Sequence, residues 1–82
     1  MSARVYMLLD IENTRIGEAA DTLRSMRGVK MVDMLEGSPN LMLIVQACNR
    51  QRLAGITNES LASVESMTEN IQLLPAQGNG GI

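Results

Sequence analysis

An α+β domain with the element order β-α-β-β-α-β is what these 82 residues predict, a four-stranded antiparallel sheet with two helices on one face. Three observations carry that expectation. Two uninterrupted apolar runs, residues 5–9 and 41–45, have the length of strands buried on both sides. An amphipathic stretch follows the first run. A turn-forming segment, Gly37-Ser38-Pro39-Asn40, leads directly into the second.

The first strand reads Val5-Tyr6-Met7-Leu8-Leu9 and ends at Asp10. Asn13 or Thr14 is suited to cap the helix that follows. In that helix Ile16, Ala19, Ala20, Leu23 and Met26 fall at offsets of 0, 3, 4, 7 and 10, one face of a 3.6-residue repeat. Arg24 and Arg27 stand in its last turn, where cations favour the helix dipole, and Gly28 is placed just beyond the C-cap. Residues 29–35 form a second strand with Lys30 and Asp33 among its apolar side chains. A turn as short as residues 37–40 makes the second and third strands an antiparallel hairpin. Asn49 is placed to cap a second helix, with Leu53, Ile56, Leu61 and Val64 as a looser stripe and Gly55 as an interruption. Residues 67–74 give a last strand stopped by Pro75. The globular domain is thus residues 1–76, and the glycine-rich residues 77–82 are expected to be a disordered tail.

This order is the ferredoxin-like plan, in which the first and third strands are central. The polar residues agree: Lys30, Asp33 and Glu36, and Thr68, Glu69, Asn70 and Gln72, mark the second and fourth strands as edges. Helices cover one face of such a sheet, yet the central strands carry apolar side chains on both. Antiparallel sheets with one wet face normally alternate apolar and polar residues. The second face therefore calls for a cover, and the simplest one is the same face of a second copy, giving a sheet-to-sheet homodimer.

Composition removes several functions. There is no His and one Cys, so catalysis by a His base, a Ser-His or Cys-His pair, an intrachain disulfide and a one-chain zinc site are all excluded. The net charge of −2 comes from seven basic and nine acidic residues without a basic cluster, which argues against direct nucleic-acid binding. Neither apolar run is long enough to span a bilayer and no signal peptide is visible, so the cytoplasm is the expected location. Cys48 reads as an inert packed thiol. Asp10 and Glu12 share a strand end and read as solvated, because a hard cation needs more oxygen ligands than two. Asp33 and Glu36, three apart on a strand, point to opposite faces and form no acid–base pair. No catalytic residue, metal or cofactor is expected. Gly37-Ser38-Pro39-Asn40 stands out, because free backbone N–H groups, a hydroxyl and a carboxamide converge there. Such groups suit a small amphoteric molecule, although the same four residue types also make an ordinary hairpin turn.

From about residue 4 to residue 74 the chain resembles the effector-binding (RAM) domain of the Lrp/AsnC regulators. The residues that carry the likeness are the opening VYMLLDIE, the helix ending before Gly28-Val29, the Gly37 turn entering LMLIV, and the helix starting after Ala47-Cys48-Asn49. The family's hairpin usually reads Thr-Gly-x-Tyr-Asp. Here Glu36-Gly37-Ser38-Pro39-Asn40 keeps the glycine, puts Pro39 in the tyrosine place and Asn40 in the aspartate place, while Asn70 and Gln72 occupy the places of threonines in the last strand. The resemblance implies a non-catalytic, transcription-regulator-related module without its own helix-turn-helix. It implies dimers joined through their sheets, higher homo-oligomers, and an amino acid or similar effector bound at subunit junctions. The implied ligand residues are Glu36, Gly37, Ser38, Pro39, Asn40, Asn70 and Gln72, with DNA reached by association with a full-length regulator. Other readings are a ligand-free oligomeric scaffold and an ACT-like amino-acid sensor, although ACT domains place a glycine after the first strand where this chain has none. A small dimeric monooxygenase ranks last, since its sites favour His, Trp and Phe.

Overall fold

Burial alternates residue by residue along the first strand, β1 (Ala3–Ile11): Val5, Met7, Leu9 and Ile11 are buried, whereas Tyr6, Leu8 and Asp10 are partly exposed. The third strand, β3 (Leu41–Ala47), repeats the pattern, with Leu41, Leu43 and Val45 buried and Met42, Ile44 and Gln46 partly exposed. Both strands thus turn one apolar row toward the helices and a second one away. The structure, a computed structural model, describes residues 2–75. The expected tail at residues 77–82 lies outside them.

The remaining elements are α1 (Ile16–Arg24), β2 (Val29–Met34), α2 (Arg50–Ser63) and β4 (Thr68–Pro75). The four strands are antiparallel in the order β2-β3-β1-β4, so the ferredoxin-like plan holds with β1 and β3 at the centre. Helix α1 lies over β2, and α2 lies over β3 and β1. Val5, Met7, Leu9, Leu41, Leu43 and Val45 meet Ala19, Ala20 and Leu23 of α1, with Val64 and Met67 closing the core. Because α2 stops short of the β4 edge, Ile71 and Leu73 on that inner face remain 43% and 46% exposed.

Gly28 does not stand just beyond the C-cap of α1: the helix ends at Arg24 with Ser25 as its C-cap, Met26 and Arg27 lie outside it, and Gly28 sits in the turn that leads into β2, where Val29 N–H donates to the Met26 carbonyl. The φ of Gly28 is +90°, the left-handed region that favours glycine. A Cβ there would also stand 2.8 Å from two carbons of Ile56, and the Gly28 carbonyl accepts a hydrogen bond from Gln46 N–H at 2.9 Å. The turn into β2, the packing of α2 and the sheet are thereby joined at one residue.

Some expectations need correction. Neither Asn13 nor Thr14 caps α1: the chain makes a 3-10 turn over Asn13–Arg15 first, and the helix starts without a side-chain cap. Both side chains are engaged elsewhere, Thr14 donating to Glu12 at 3.0 Å and Asn13 accepting from Asn40 at 3.2 Å. At α2 the expected cap is present, Asn49 Oδ1 accepting from Arg52 N–H at 2.8 Å, and Gly55 does not break the helix. Its buried residues are Thr57 and Ser60, while Leu53, Ile56 and Leu61 are only partly covered. Cys48 is not packed away; it is exposed in the bend between β3 and α2.

The face turned away from the helices is ordered in rows by the strand register. Met31, Ile44, Tyr6 and Leu74 lie side by side across all four strands. The next row is Asp33, Met42, Leu8 and Gln72. Beyond them Arg4 and Gln46 stand at one end of the strands, and Asp10 and Asn70 at the other. This face thus has an apolar centre and a polar rim.

Candidate functional site

The end of β1, the β2–β3 turn and the start of β4 enclose an open cleft of about 580 Å³. Its walls include Asp10, Glu12 and Asn13 from the end of β1, Gly37, Ser38 and Asn40 from the turn, and Glu69 and Asn70 from β4. The β4 wall owes its shape to an irregular register. Asp10 pairs with Asn70 but Ile11 pairs with Thr68, so Glu69 is an extra residue opposite β1. Such a bulge bends the strand and re-aims side chains.

The turn is held by side chains from the β1 end. Ser38 Oγ donates to Asp10 Oδ1 at 2.6 Å. Asn40, only 6% exposed, does more. Its Oδ1 accepts from Ile11 N–H at 2.9 Å, its Nδ2 donates to the Ile11 carbonyl at 2.8 Å, and the same nitrogen donates to Asn13 Oδ1 at 3.2 Å. The carboxamide thus acts as one more peptide group in the β1–β3 ladder, taking over where the backbone pair Leu9–Leu41 ends. The Asn40 backbone is engaged too, its N–H with Leu9 and its carbonyl with Leu35 N–H. Gly37 has φ +92°, while a Cβ there would meet nothing within 4 Å. Backbone conformation, not crowding, calls for glycine at this position.

Of the residues expected to bind a ligand, the cleft gathers Gly37, Ser38, Asn40 and Asn70. Glu36 is exposed outside it, Pro39 is not among its walls, and Gln72 sits beside Leu8 on the open sheet face. The Asn40 side chain, expected to offer a free hydrogen bond to a ligand, is committed to Ile11 and Asn13. Asp10, Glu12, Asn13, Thr14 and Glu69 line the cleft without having been assigned to it. The polar run Asp10-Ile11-Glu12-Asn13-Thr14 at the end of a central strand was the available signal; Glu69 had none, because its position depends on the bulge.

Electrostatically the cleft is one-sided. Asp10, Glu12 and Glu69 contribute carboxylates, and none of the described lining residues is Lys or Arg. Arg15, next in the chain, is engaged with Glu18 at 3.1 Å, and the hydrogen bond and attraction from Glu18 hold its pKa above the ordinary value. Carboxylates, carboxamides and hydroxyls around a cleft suit an ammonium group with further donors.

No protein-family model matches the chain, and no curated protein sequence does either. Solved structures do. A hypothetical protein from Pyrococcus horikoshii superposes with a TM-score of 0.81 at 17% identity, over 93% of this chain and 89% of that one. A transcriptional regulatory protein of Pyrococcus furiosus, a member of the AsnC family, superposes with a TM-score of 0.68 at 18% identity, over 95% of this chain and 55% of that one. The Tat proofreading chaperone NapD of E. coli gives 0.71 at 16% identity, over 99% and 83%. The chain has the fold these proteins share. It spans about half the length of the AsnC-family regulator and nine-tenths of the P. horikoshii protein. No helix among the described residues is long and apolar enough to cross a membrane.

Proposed function

We propose that this chain is a non-catalytic regulatory module of the Lrp/AsnC type, which pairs with a second copy through its open sheet face. In this reading it binds a small ammonium-bearing metabolite, an amino acid foremost, in the Asp10–Ser38 cleft. The cleft itself carries the ligand half of the reading: it lies at the Gly37 turn, and Asp10 there supplies the carboxylate that Asn40 cannot. One open cleft in one chain does not enclose a ligand, so completion by neighbouring subunits in a higher homo-oligomer belongs to the proposal. DNA would be reached through a full-length regulator, since these residues offer neither a basic face nor a reading helix.

A ligand-free scaffold is the second reading, and the fully engaged Asn40 carboxamide favours it. A thermal-shift screen of the twenty amino acids separates the two. A ligand present at 100 times its Kd adds about 2.7 kcal/mol of stability, a large shift for a domain of this size. At least one amino acid should raise Tm, and Asp10→Asn should abolish the effect while leaving the unliganded Tm close to that of the parent. If none raises it, the scaffold reading stands and the ligand half of the proposal is lost.

A further inference from the structure

The open face carries its charges at opposite ends of the strands. On β1 the residues that point away from the helices are Arg4, Tyr6, Leu8 and Asp10, a cation, two apolar side chains and a carboxylate in line. Arg4 lies along this face, its guanidinium donating to Tyr6 Oη and to Gln46 Oε1, each at 3.3 Å. Asp10 stands at the far end beside Ser38, and Asp33 on β2 flanks the Met42–Leu8 row.

A twofold contact between two copies of this face requires an axis lying in the plane between them. There are two ways to align the strands. With the axis along the strands, the Arg4 ends of both copies meet, and the Asp10 and Asp33 carboxylates gather at the other end. With the axis across the strands, the sense of the second sheet is reversed. The row Met31-Ile44-Tyr6-Leu74 then faces the row Asp33-Met42-Leu8-Gln72, apolar centre on apolar centre, and Arg4 faces Asp10 at both ends.

We infer that two copies pair in this second way, open face to open face with strands reversed, so that Arg4 of each copy lies against Asp10 of the other. This rests on the sheet-to-sheet pairing proposed above. The dimensions agree. Arg4 and Asp10 are about 20 Å apart along the strand at 3.3 Å per residue, symmetric about Met7. Packed sheets stand about 10 Å apart and cross at about 30°, which displaces the strand ends by about 5 Å, within reach of an arginine side chain. Rim charges of this kind select orientation more than they add affinity. The arrangement also brings the second copy's Arg4 to the rim of the acidic cleft, next to a carboxylate that lines it. A pocket one-sided in the single chain then offers a cation beside its carboxylates, the pair of charges an amino acid would complement.

The test is the dimer Kd by sedimentation at low ionic strength for the parent, Arg4→Asp, Arg4→Gln and the exchange Arg4→Asp with Asp10→Arg. Arg4→Asp should weaken pairing by about tenfold or more, because it turns two attractions into two repulsions. Arg4→Gln should weaken it less, and the exchange should return it toward the parent value. A failure of the exchanged chain to fold, read by circular dichroism, leaves the Asp and Gln variants to decide. A parent dimer whose Kd is unmoved by Arg4→Asp overturns the reversed arrangement but leaves sheet pairing intact. A monomeric parent overturns both.

Discussion

Ile44→Glu is expected to leave a folded chain that no longer pairs, whereas Leu43→Glu is expected not to fold. The two residues are neighbours on β3 with opposite orientations. Leu43 is fully buried, opposite Met7 and beside Val32. A carboxylate there has no partner, and its desolvation costs several kcal/mol. For a domain of this length the whole stability is on the order of 4–12 kcal/mol. Ile44 sits opposite Tyr6 on the partly exposed face. A single chain tolerates a solvated glutamate at that position, but two copies pressed together would bury both charges near the twofold axis. Circular dichroism together with sedimentation reads both halves of the expectation. A paired Ile44→Glu chain would contradict pairing through the open face, and a stably folded Leu43→Glu chain would contradict the inward orientation of Leu43.

Asn40→Ala should destabilise the fold by about 3 kcal/mol in urea unfolding. The estimate follows from what the carboxamide leaves behind. Ile11, 2% exposed, would have its N–H and its carbonyl stripped of these partners, at about 1–3 kcal/mol for each unsatisfied group. Asn40→Asp keeps an acceptor for Ile11 N–H but sets a carboxylate against the Ile11 carbonyl and Asn13 Oδ1, so it should also destabilise at neutral pH. A loss below about 0.5 kcal/mol in Asn40→Ala would mean that water replaces the carboxamide freely and that the turn is not clamped.

The contrast between these residues shows what a single sequence conveys. Central strands without polar interruption, Gly28 after an amphipathic stretch, Asn49 before α2 and the turn between two strands are local signals, each set within a few residues. They gave the element order and the antiparallel hairpin. Strand pairing is not local, and it decided the site. Asn40 reads as a turn residue with a carboxamide free for a ligand until the register places it against Ile11, 29 positions earlier. Glu69 enters the cleft only because β4 bulges opposite Asp10. Thr57 and Ser60 do not read as core, because short polar side chains make no hydrophobic stripe, yet they are what α2 buries. The habits of cysteine point Cys48 to the interior, but the bend at the end of β3 leaves it exposed.

Pairing through the open face is the claim from which the oligomer, the role of Arg4 and the completed cleft all follow. Sedimentation equilibrium of the parent chain over micromolar concentrations tests it most directly. Twice the chain mass of 8.9 kDa, or an even multiple of it, is the expected result. A native-like species of 8.9 kDa throughout that range, with Tyr6, Leu8, Met42 and Ile44 left in water, would contradict it.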